Sequence, residues 1–171
     1  QETNSTNDKR AIIVANKDNE LFKRCLKFLL DGNVVTGISN KKLNKDVFVL
    51  GHDDCNTFEE LMDYLTINNT GCDYDIRTVR YFIENQSEED REFYEQMITK
   101  TYRLGADSKV INKCIPNLIP TFDVQLGTSI EKVKLLGNEK IFISRKLNGT
   151  RTAFVGDKCM TRQGKEYTGL Q

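Results

Sequence analysis

Near the end of the sequence stands the run Ile141-Phe-Ile-Ser-Arg-Lys146-Leu-Asn-Gly149-Thr-Arg151-Thr-Ala-Phe-Val155, in which a polar core separates two apolar segments. Asn148-Gly149 between strand-like segments predicts a β-hairpin, because both residues tolerate a positive φ. Lys146 then precedes the turn and Arg151 follows it. A lysine becomes a nucleophile when burial or neighbouring cations lower its pKa from roughly 10.4. The same spacing is also compatible with an ordinary surface hairpin that carries solvated charges.

Two motifs in this region resemble those of ATP-dependent DNA ligases and the related capping enzymes. The run from Lys146 to Arg151 resembles the Lys-x-Asp-Gly-x-Arg motif of nucleotidyl transfer, and Thr161-Arg162-Gln-Gly164-Lys165 resembles the Ser-Arg-x-Gly element that follows it in DNA ligases. The likeness is strongest to ligases of bacteriophage type. In those proteins a helical N-terminal region leads through an Ile-Pro-x-x-Asp-like segment, here Leu118-Ile-Pro-Thr-Phe-Asp123, into the catalytic domain.

The resemblance implies a covalent mechanism that uses ATP and acts on nicked double-stranded DNA. Lys146 would attack the α-phosphorus of ATP, release pyrophosphate and carry AMP as a phosphoramidate. The AMP would pass to the 5′-phosphate of the nick, and the 3′-hydroxyl would then displace it to seal the strand. In the family a divalent metal, usually Mg²⁺, offsets the phosphate charge. The motif positions assign ATP binding to Lys146, Asn148, Gly149 and Arg151, and DNA binding to Arg162 and Lys165, with no metal ligand assigned in this chain.

Position 148 departs from the family pattern, because asparagine stands where the family usually has aspartate. The side chain keeps its shape and its hydrogen-bonding oxygen but loses the negative charge. That loss matters if the family's carboxylate positions the lysine, a metal or the nick. The carboxylates that later family motifs contribute are absent from these 171 residues. The chain alone is therefore expected to adenylylate poorly or not at all.

The composition indicates a globular protein with an uneven distribution of charge. Hydrophobic residues make up 38% and charged residues 29%, with no membrane-length apolar run and no signal-peptide core. The five cysteines are odd in number and form no C-x-x-C pair, which predicts free thiols in the cytoplasm. Residues 140–171 contain seven Lys and Arg against two Asp and Glu, a net +5, so residues 1–139 carry −5. This asymmetry indicates an anion-binding end on a more acidic scaffold, and we expect a monomer without membrane association.

The sequence before Pro120 has the periodicity of helices. Residues 1–11 are polar and predict a flexible tail, and apolar spacing then predicts helices that end near residues 30, 67, 84 and 104. Asp18 or Asn19 is the expected cap of the first of these helices, and Thr57-Phe-Glu-Glu60 has the pattern of a capping box. The aromatic residues of the helices are expected in the core rather than stacked on bases. The basic cluster Lys41-Lys42-Leu-Asn-Lys45 is expected in a solvated loop rather than on phosphates.

A second candidate for DNA binding lies at Gly105-Ala-Asp-Ser108, which precedes a short helix that Pro116 terminates. A glycine turn before a helix N-terminus offers free backbone N–H groups to a DNA phosphate, with Lys109 and Lys113 nearby. A plain corner between two helices explains the pattern equally well.

The predicted fold class is α+β. An all-α, DNA-binding domain over residues 12–117 precedes the first β-strands of a nucleotidyltransferase (ATP-grasp-like) domain over residues 118–171. The second domain begins with a short helix from Thr128 to Leu136. Val155-Gly-Asp-Lys158 predicts a second turn, and residues 159–162 predict a third short strand. Three short strands are too few to enclose a nucleotide, so this domain is expected to be incomplete. Two alternatives remain open: an RNA ligase or capping-type nucleotidyltransferase, and a non-catalytic helical DNA-binding module.

Overall fold

The computed structural model describes residues 5–122, 128–132, 137, 140, 142–145, 148–150, 152–161, 164 and 166–167. The chain divides into two compact units, residues 1–120 and 121–171. The first unit contains the helices α1 (Thr6–Ala15), α2 (Glu20–Leu30), α3 (Asn40–Leu43), α4 (Phe58–Ile67), α5 (Asp73–Glu84), α6 (Glu88–Ile98) and α7 (Ser108–Cys114). The second contains a 3₁₀ turn (Ile130–Lys132) and the strands β1 (Thr152–Val155) and β2 (Lys158–Thr161). None of the described helices is long and apolar enough to cross a membrane.

The larger core of the first unit lies among α4, α5 and α6. Its most buried side chains are exposed by at most 1% and come from all three helices: Leu61, Leu65, Ile76, Val79, Phe82 and Ile98. The rings of Phe82 and Tyr94 meet edge to face with centroids 5.2 Å apart, a favourable geometry for aromatic pairs. The prediction that helix aromatics belong to the core is confirmed for Phe82 and in part for Tyr94, whereas Tyr74 and Phe93 are 37% and 39% exposed.

A smaller core joins α1, α2 and α7 to the segment that precedes Pro120. It contains Ile13, Leu26, Ile111 and Ile119. Helix α2 serves both cores, because Leu26 and Phe28 are two residues apart and therefore point to nearly opposite sides of the helix. As predicted, α2 is capped by Asn19, whose side chain accepts from the N–H of Phe22 at 3.0 Å.

The beginning of the chain differs from the prediction. Residues 6–11, interpreted as part of a flexible tail, form the first turns of α1. Ser5 caps this helix by accepting from the N–H of Asp8, and Ile13 is buried in the smaller core. The polar composition of the first turns concealed the helix, because Ile13 is the one buried residue of α1.

Helix α6 is shorter than predicted, since it ends at Ile98 rather than near Leu104. Lys100 has a left-handed φ of 57°, and the N–H of Thr101 bonds back to the carbonyl of Gln96 at 2.9 Å. This is the Schellman pattern of a helix end, in which glycine is the usual left-handed residue. The Lys100 ammonium donates to the carbonyls of Asp31 and Val34, and these bonds hold the lysine in this conformation.

The second unit contains an antiparallel hairpin at Val155-Gly-Asp-Lys158, the second of the two turns that the sequence predicts. Strands β1 and β2 are joined by Gly156-Asp157, with Val155 opposite Lys158. Gly156 supplies the positive φ, 63°, that a two-residue turn with glycine first requires. The prediction of a hairpin at Asn148-Gly149 is wrong for the described residues: 142–145 form no strand, and neither turn residue has a positive φ.

The segment that follows β2 in sequence also pairs with β2. Met160 forms an antiparallel bridge with Glu166, and the N–H of Tyr167 donates to the carbonyl of Cys159 at 2.8 Å. Before the hairpin, the helix predicted from Thr128 to Leu136 corresponds to the 3₁₀ turn at Ile130–Lys132, and residues 133–136 lie outside the described residues.

Candidate functional site

The predicted site residues divide into those that the structure describes and those outside it. Asn148, Gly149, Lys109 and Lys113 are among the described residues. Four others lie outside the described residues: Lys146, Arg151, Arg162 and Lys165. The geometry of the motif is therefore given by the residues that flank these four.

The chain on either side of Lys146 is exposed. Phe142 and Ile143 are 92% and 95% exposed, Arg145 is exposed, and residues 148–150 are also exposed. Around Gly149 there is open space, since a Cβ atom built there would meet nothing within 4 Å. The conformation of Gly149 therefore does not require glycine, and its predicted role in close approach to a nucleotide stays a prediction.

The two ends of the second motif, Thr161 and Gly164, are described residues at and after the end of β2. The N–H of Gly164 donates to the carbonyl of Thr161 at 3.0 Å. Gly164 has a φ of 79°, and a Cβ atom there would approach the Cβ of Phe122 to 2.5 Å. Both the conformation and the available space therefore require glycine. The bond fixes the two ends of the motif that contains Arg162.

Downstream of this motif an ion pair and backbone hydrogen bonds connect the chain to β2. Lys158 Nζ lies 3.0 Å from Glu166 Oε2, and both side chains are about half exposed. In high dielectric such a pair contributes at most about 1 kcal/mol, so the backbone bonds to β2 are the stronger constraint.

Lys109 and Lys113 lie one turn apart on α7, and both are exposed. The helix N-terminus that was predicted to accept a phosphate already has a partner. Asp107 caps α7, and its Oδ1 accepts from the N–H of Val110 at 2.8 Å. Because the cap also brings a carboxylate to this position, the two lysine side chains are the more favourable groups for an anion.

The basic cluster at residues 41–45 serves the fold. Lys42 lies in α3, and its Nζ donates to the carbonyls of Gly37 and Thr70 at 2.8 and 3.0 Å. Lys45 Nζ lies 2.7 Å from Asp73 Oδ1. Lys41 is exposed and forms no hydrogen bond or ion pair within the described part of the chain. The cluster is therefore partly helical, where a solvated loop was predicted, and most of its positive charge is already engaged.

A cavity of about 860 Å³ lies within the first unit, between α3, α5, α6 and residues 101–103. Its lining mixes Arg80 and Arg103 with the carboxylates of Glu84, Glu92 and Glu95. The guanidinium of Arg80 already donates to the carbonyls of Leu43 and Lys45. No predicted site residue lines this cavity, so sequence motifs gave no signal for it.

Among the described residues, neither the thiols nor the metal-ligating side chains form a further catalytic site. All five cysteines are free, and burial raises the pKa of the Cys25 and Cys55 thiols, which makes both poor nucleophiles. Within the ranges that the structure describes, no three His, Cys, Asp or Glu side chains are grouped as a metal site requires.

Comparison with known proteins identifies proteins that align with nearly the whole chain. No protein-family model matches the chain. The DNA ligases of Enterobacteria phage T4 and Enterobacteria phage T6 are each 28% identical to it over an alignment of 180 residues. The alignment covers 97% of this chain and 36% of each relative, so the chain spans about a third of the length of these curated relatives. The resemblance to bacteriophage DNA ligases, which the motif residues predict, is thus confirmed along nearly the whole chain.

Proposed function

We propose that this chain provides the helical region and the nucleophile-bearing segment of an ATP-dependent DNA ligase. The observation that carries the proposal is the similarity to two phage DNA ligases over 97% of the chain. The lysine motif at residues 146–151 and the arginine–glycine element at residues 161–164 support it, because both stand at the spacing of the ligase pattern.

In the proposed reaction Lys146 is the nucleophile. Its unprotonated Nζ forms a bond to the α-phosphorus of ATP while the bond from that phosphorus to the bridging oxygen breaks and pyrophosphate leaves. The proton lost from Nζ passes to solvent. The lysine then carries AMP as a phosphoramidate and transfers it to the 5′-phosphate of a DNA nick. Covalent catalysis divides one difficult condensation into easier displacements.

The flanking residues would hold the substrates. Arg151 would contact the sugar or phosphates of ATP, and Arg162 would bind the 5′-phosphate of the nick, because a guanidinium matches the geometry of phosphate oxygens. The hydrogen bond between Thr161 and Gly164 supports this role for Arg162, since it fixes both ends of the short element. Asn148 would donate or accept a hydrogen bond but brings no negative charge.

A divalent cation such as Mg²⁺ would reduce the repulsion between phosphates in this chemistry. The described residues do not form a site for it, because no group of three metal-ligating side chains occurs among them. Asn148 also lacks the carboxylate of the usual motif. The chemistry assigned to this chain is therefore nucleophilic attack by lysine and binding of phosphate by arginine, without a step through a metal.

The proposal is tested with ATP labelled at the α-phosphate, on the 171-residue chain and on the full product of its gene. We expect label on the full product that is stable to base and labile to acid, as a phosphoramidate is. Lys146→Ala should remove the label completely, because no other side chain replaces the nucleophile. Label on the 171-residue chain would show that the expectation of an inactive chain is wrong.

Lys140→Ala is the matched control, since Lys140 is an exposed lysine only six positions before the motif. It should keep the label. Absence of label from the full product would contradict the proposal and favour the non-catalytic DNA-binding module. Transfer of AMP to nicked RNA but not to nicked DNA would instead favour an RNA ligase.

A further inference from the structure

Residues 46–52, between α3 and α4, run as an extended segment outside any sheet. From residue 46 to residue 56 the chain forms no helix, strand, turn or bend. Exposure alternates along the segment: Phe48 and Leu50 are exposed, and the three residues beside them are partly buried: Val47, Val49 and Gly51. Alternation with a period of two residues is the side-chain geometry of a β-strand.

Contacts with α5 and with the larger core hold both ends of this segment. Just before it, the guanidinium of Arg80 donates to the carbonyl of Lys45. Val47 packs against the larger core. Just after it, the N–H of Asp53 donates to Thr78 Oγ1 at 3.0 Å. Because its ends are fixed in this way, the segment loses little conformational freedom when it binds another strand.

Between these contacts the segment has an unpaired edge. The N–H and C=O groups of residues 46–52 form no hydrogen bond with the part of the chain that the structure describes. Phe48 is 91% exposed and Leu50 104%, so their backbone groups face solvent together with their side chains. Alternate residues of a strand direct their backbone groups to the same edge. An apolar edge of this kind is a template for pairing with another strand.

The sequence of the segment is complementary to itself in the antiparallel direction. When Val49 is placed opposite Val49 of a second copy, Phe48 lies opposite Leu50, and Leu50 lies opposite Phe48. The two fully exposed apolar side chains then form cross-strand pairs on one face, and such pairs are the main source of stability in a sheet. Their backbone groups, which are the exposed ones, face each other in the same arrangement.

This register also suits the charged residues at the ends of the segment. Lys45 lies opposite Asp53 of the second copy. Lys45 Nζ is already 2.7 Å from Asp73 Oδ1 of its own copy, but the side chain is 55% exposed and an ammonium has three donors. A parallel pairing in register would instead place Asp46 beside Asp46, and like charges directly opposite each other destabilise paired strands. Charge therefore favours the antiparallel arrangement.

We propose that two copies of this chain associate through antiparallel pairing of residues 46–52, about a twofold axis at Val49. Phe48 of each copy exchanges both of its backbone hydrogen bonds with Leu50 of the other. A buried phenylalanine contributes about 150–250 Å², so two short strands bury less than the roughly 1,200 Å² of a stable interface. The dimer is therefore transient, and the monomer that the sequence predicts is the form at low concentration.

The test is the mass of the 171-residue chain, measured by sedimentation equilibrium over a series of concentrations. We expect the average mass to rise from that of one chain toward that of two, with a dissociation constant weaker than about 1 μM because the interface is small. Phe48→Asp should raise this constant about tenfold or more, since it places a charge opposite Leu50. Leu50→Pro should do the same, because proline has no N–H to donate and the N–H of Leu50 has no partner within the described chain.

Ile67→Asp is the matched control for Phe48→Asp. Ile67 is an apolar residue at the end of α4 that is 81% exposed, and the substitution changes the net charge equally. It should change the dissociation constant less than about twofold at physiological salt, where distant charges are screened. Equal weakening by Phe48→Asp and Ile67→Asp would overturn the proposal. Weakening by Phe48→Asp without weakening by Leu50→Pro would overturn strand pairing as the mode of association.

The range of masses tests the twofold arrangement itself. A chain that stays monomeric up to about 1 mM would overturn the proposal and leave the segment to a different protein. A mass that rises past two chains would also overturn it, because the pairing uses the same edge of both copies and closes it. Thermal unfolding checks that each variant is folded. Where Phe48→Asp is not folded, weaker association of Leu50→Pro than of Ile67→Asp supports the proposal, and equal association of the two overturns it.

Discussion

At the residue scale, two glycines of the ligase-like motifs have opposite structural roles. Gly164 has a left-handed φ of 79° and its missing Cβ leaves room for Phe122, whereas Gly149 has neither constraint. We predict that Gly164→Ala costs about 2 kcal/mol or more locally, from the left-handed conformation plus the steric conflict. Hydrogen exchange at the N–H of Tyr167, which bonds to Cys159, should become faster.

Gly149→Ala is the comparison for this change, because open space surrounds Gly149. It should leave exchange at Tyr167 as in the unaltered chain. Slower or equal exchange in Gly164→Ala would show that the contact with Phe122 is unimportant.

At the scale of single elements, the start of α5 depends on one buried carboxylate. Asp75 is 3% exposed and accepts from Tyr64 Oη at 2.9 Å and from Thr70 Oγ1 and the N–H of Cys72 at 3.0 Å. Burial acts to raise the pKa of Asp75, but these hydrogen bonds outweigh burial and lower it below the ordinary value. The same environment raises the pKa of Tyr64, chiefly through burial.

A lowered pKa in the folded state makes the protein more stable above the pKa of the unfolded carboxyl, about 3.9, and this contribution is lost as the pH falls through the folded pKa. We predict that Asp75→Asn lowers the free energy of unfolding by about 2 kcal/mol at pH 7. The difference from the unaltered chain should shrink below pH 4 in urea unfolding. Asp46→Asn, at an exposed position, should change stability by less than about 0.5 kcal/mol. A difference that does not vary with pH would contradict this account.

At the scale of the whole molecule, both hydrophobic cores lie within residues 1–120. Because a unit with its own core can fold independently, we predict that a chain ending at Pro120 unfolds cooperatively with a Tm within a few degrees of that of the 171-residue chain. The far-ultraviolet circular dichroism signal of the helices, followed as the temperature rises, measures this transition. A broad transition without a defined midpoint would show that the helical unit requires the second unit.

The candidate site could be predicted from sequence only where its signal is local. Lys146 and Arg162 stand in short motifs whose residues are adjacent in the chain, so the resemblance to phage ligases was visible without a fold and the comparison confirmed it. The packing of α1 against α7, which is about 100 residues away, gave no such signal, because no sequence pattern indicates a contact over that distance.

The sequence by itself determined the helical region, the capping box at Thr57 and the ligase-like motifs, and it narrowed the cap of α2 to Asp18 or Asn19, because caps and helix periodicity act over three to four residues. Only the tertiary structure decided that α1 is a helix, that α6 ends at Ile98, and that strands pair around the predicted turn at Gly156 and not around the one at Gly149. Each of these depends on contacts with distant residues. One buried isoleucine attaches α1, and carbonyls of another loop hold Lys100. Strand pairing selects one of the two predicted turns, because the local propensities of the two turns differ by less than the tertiary contacts contribute.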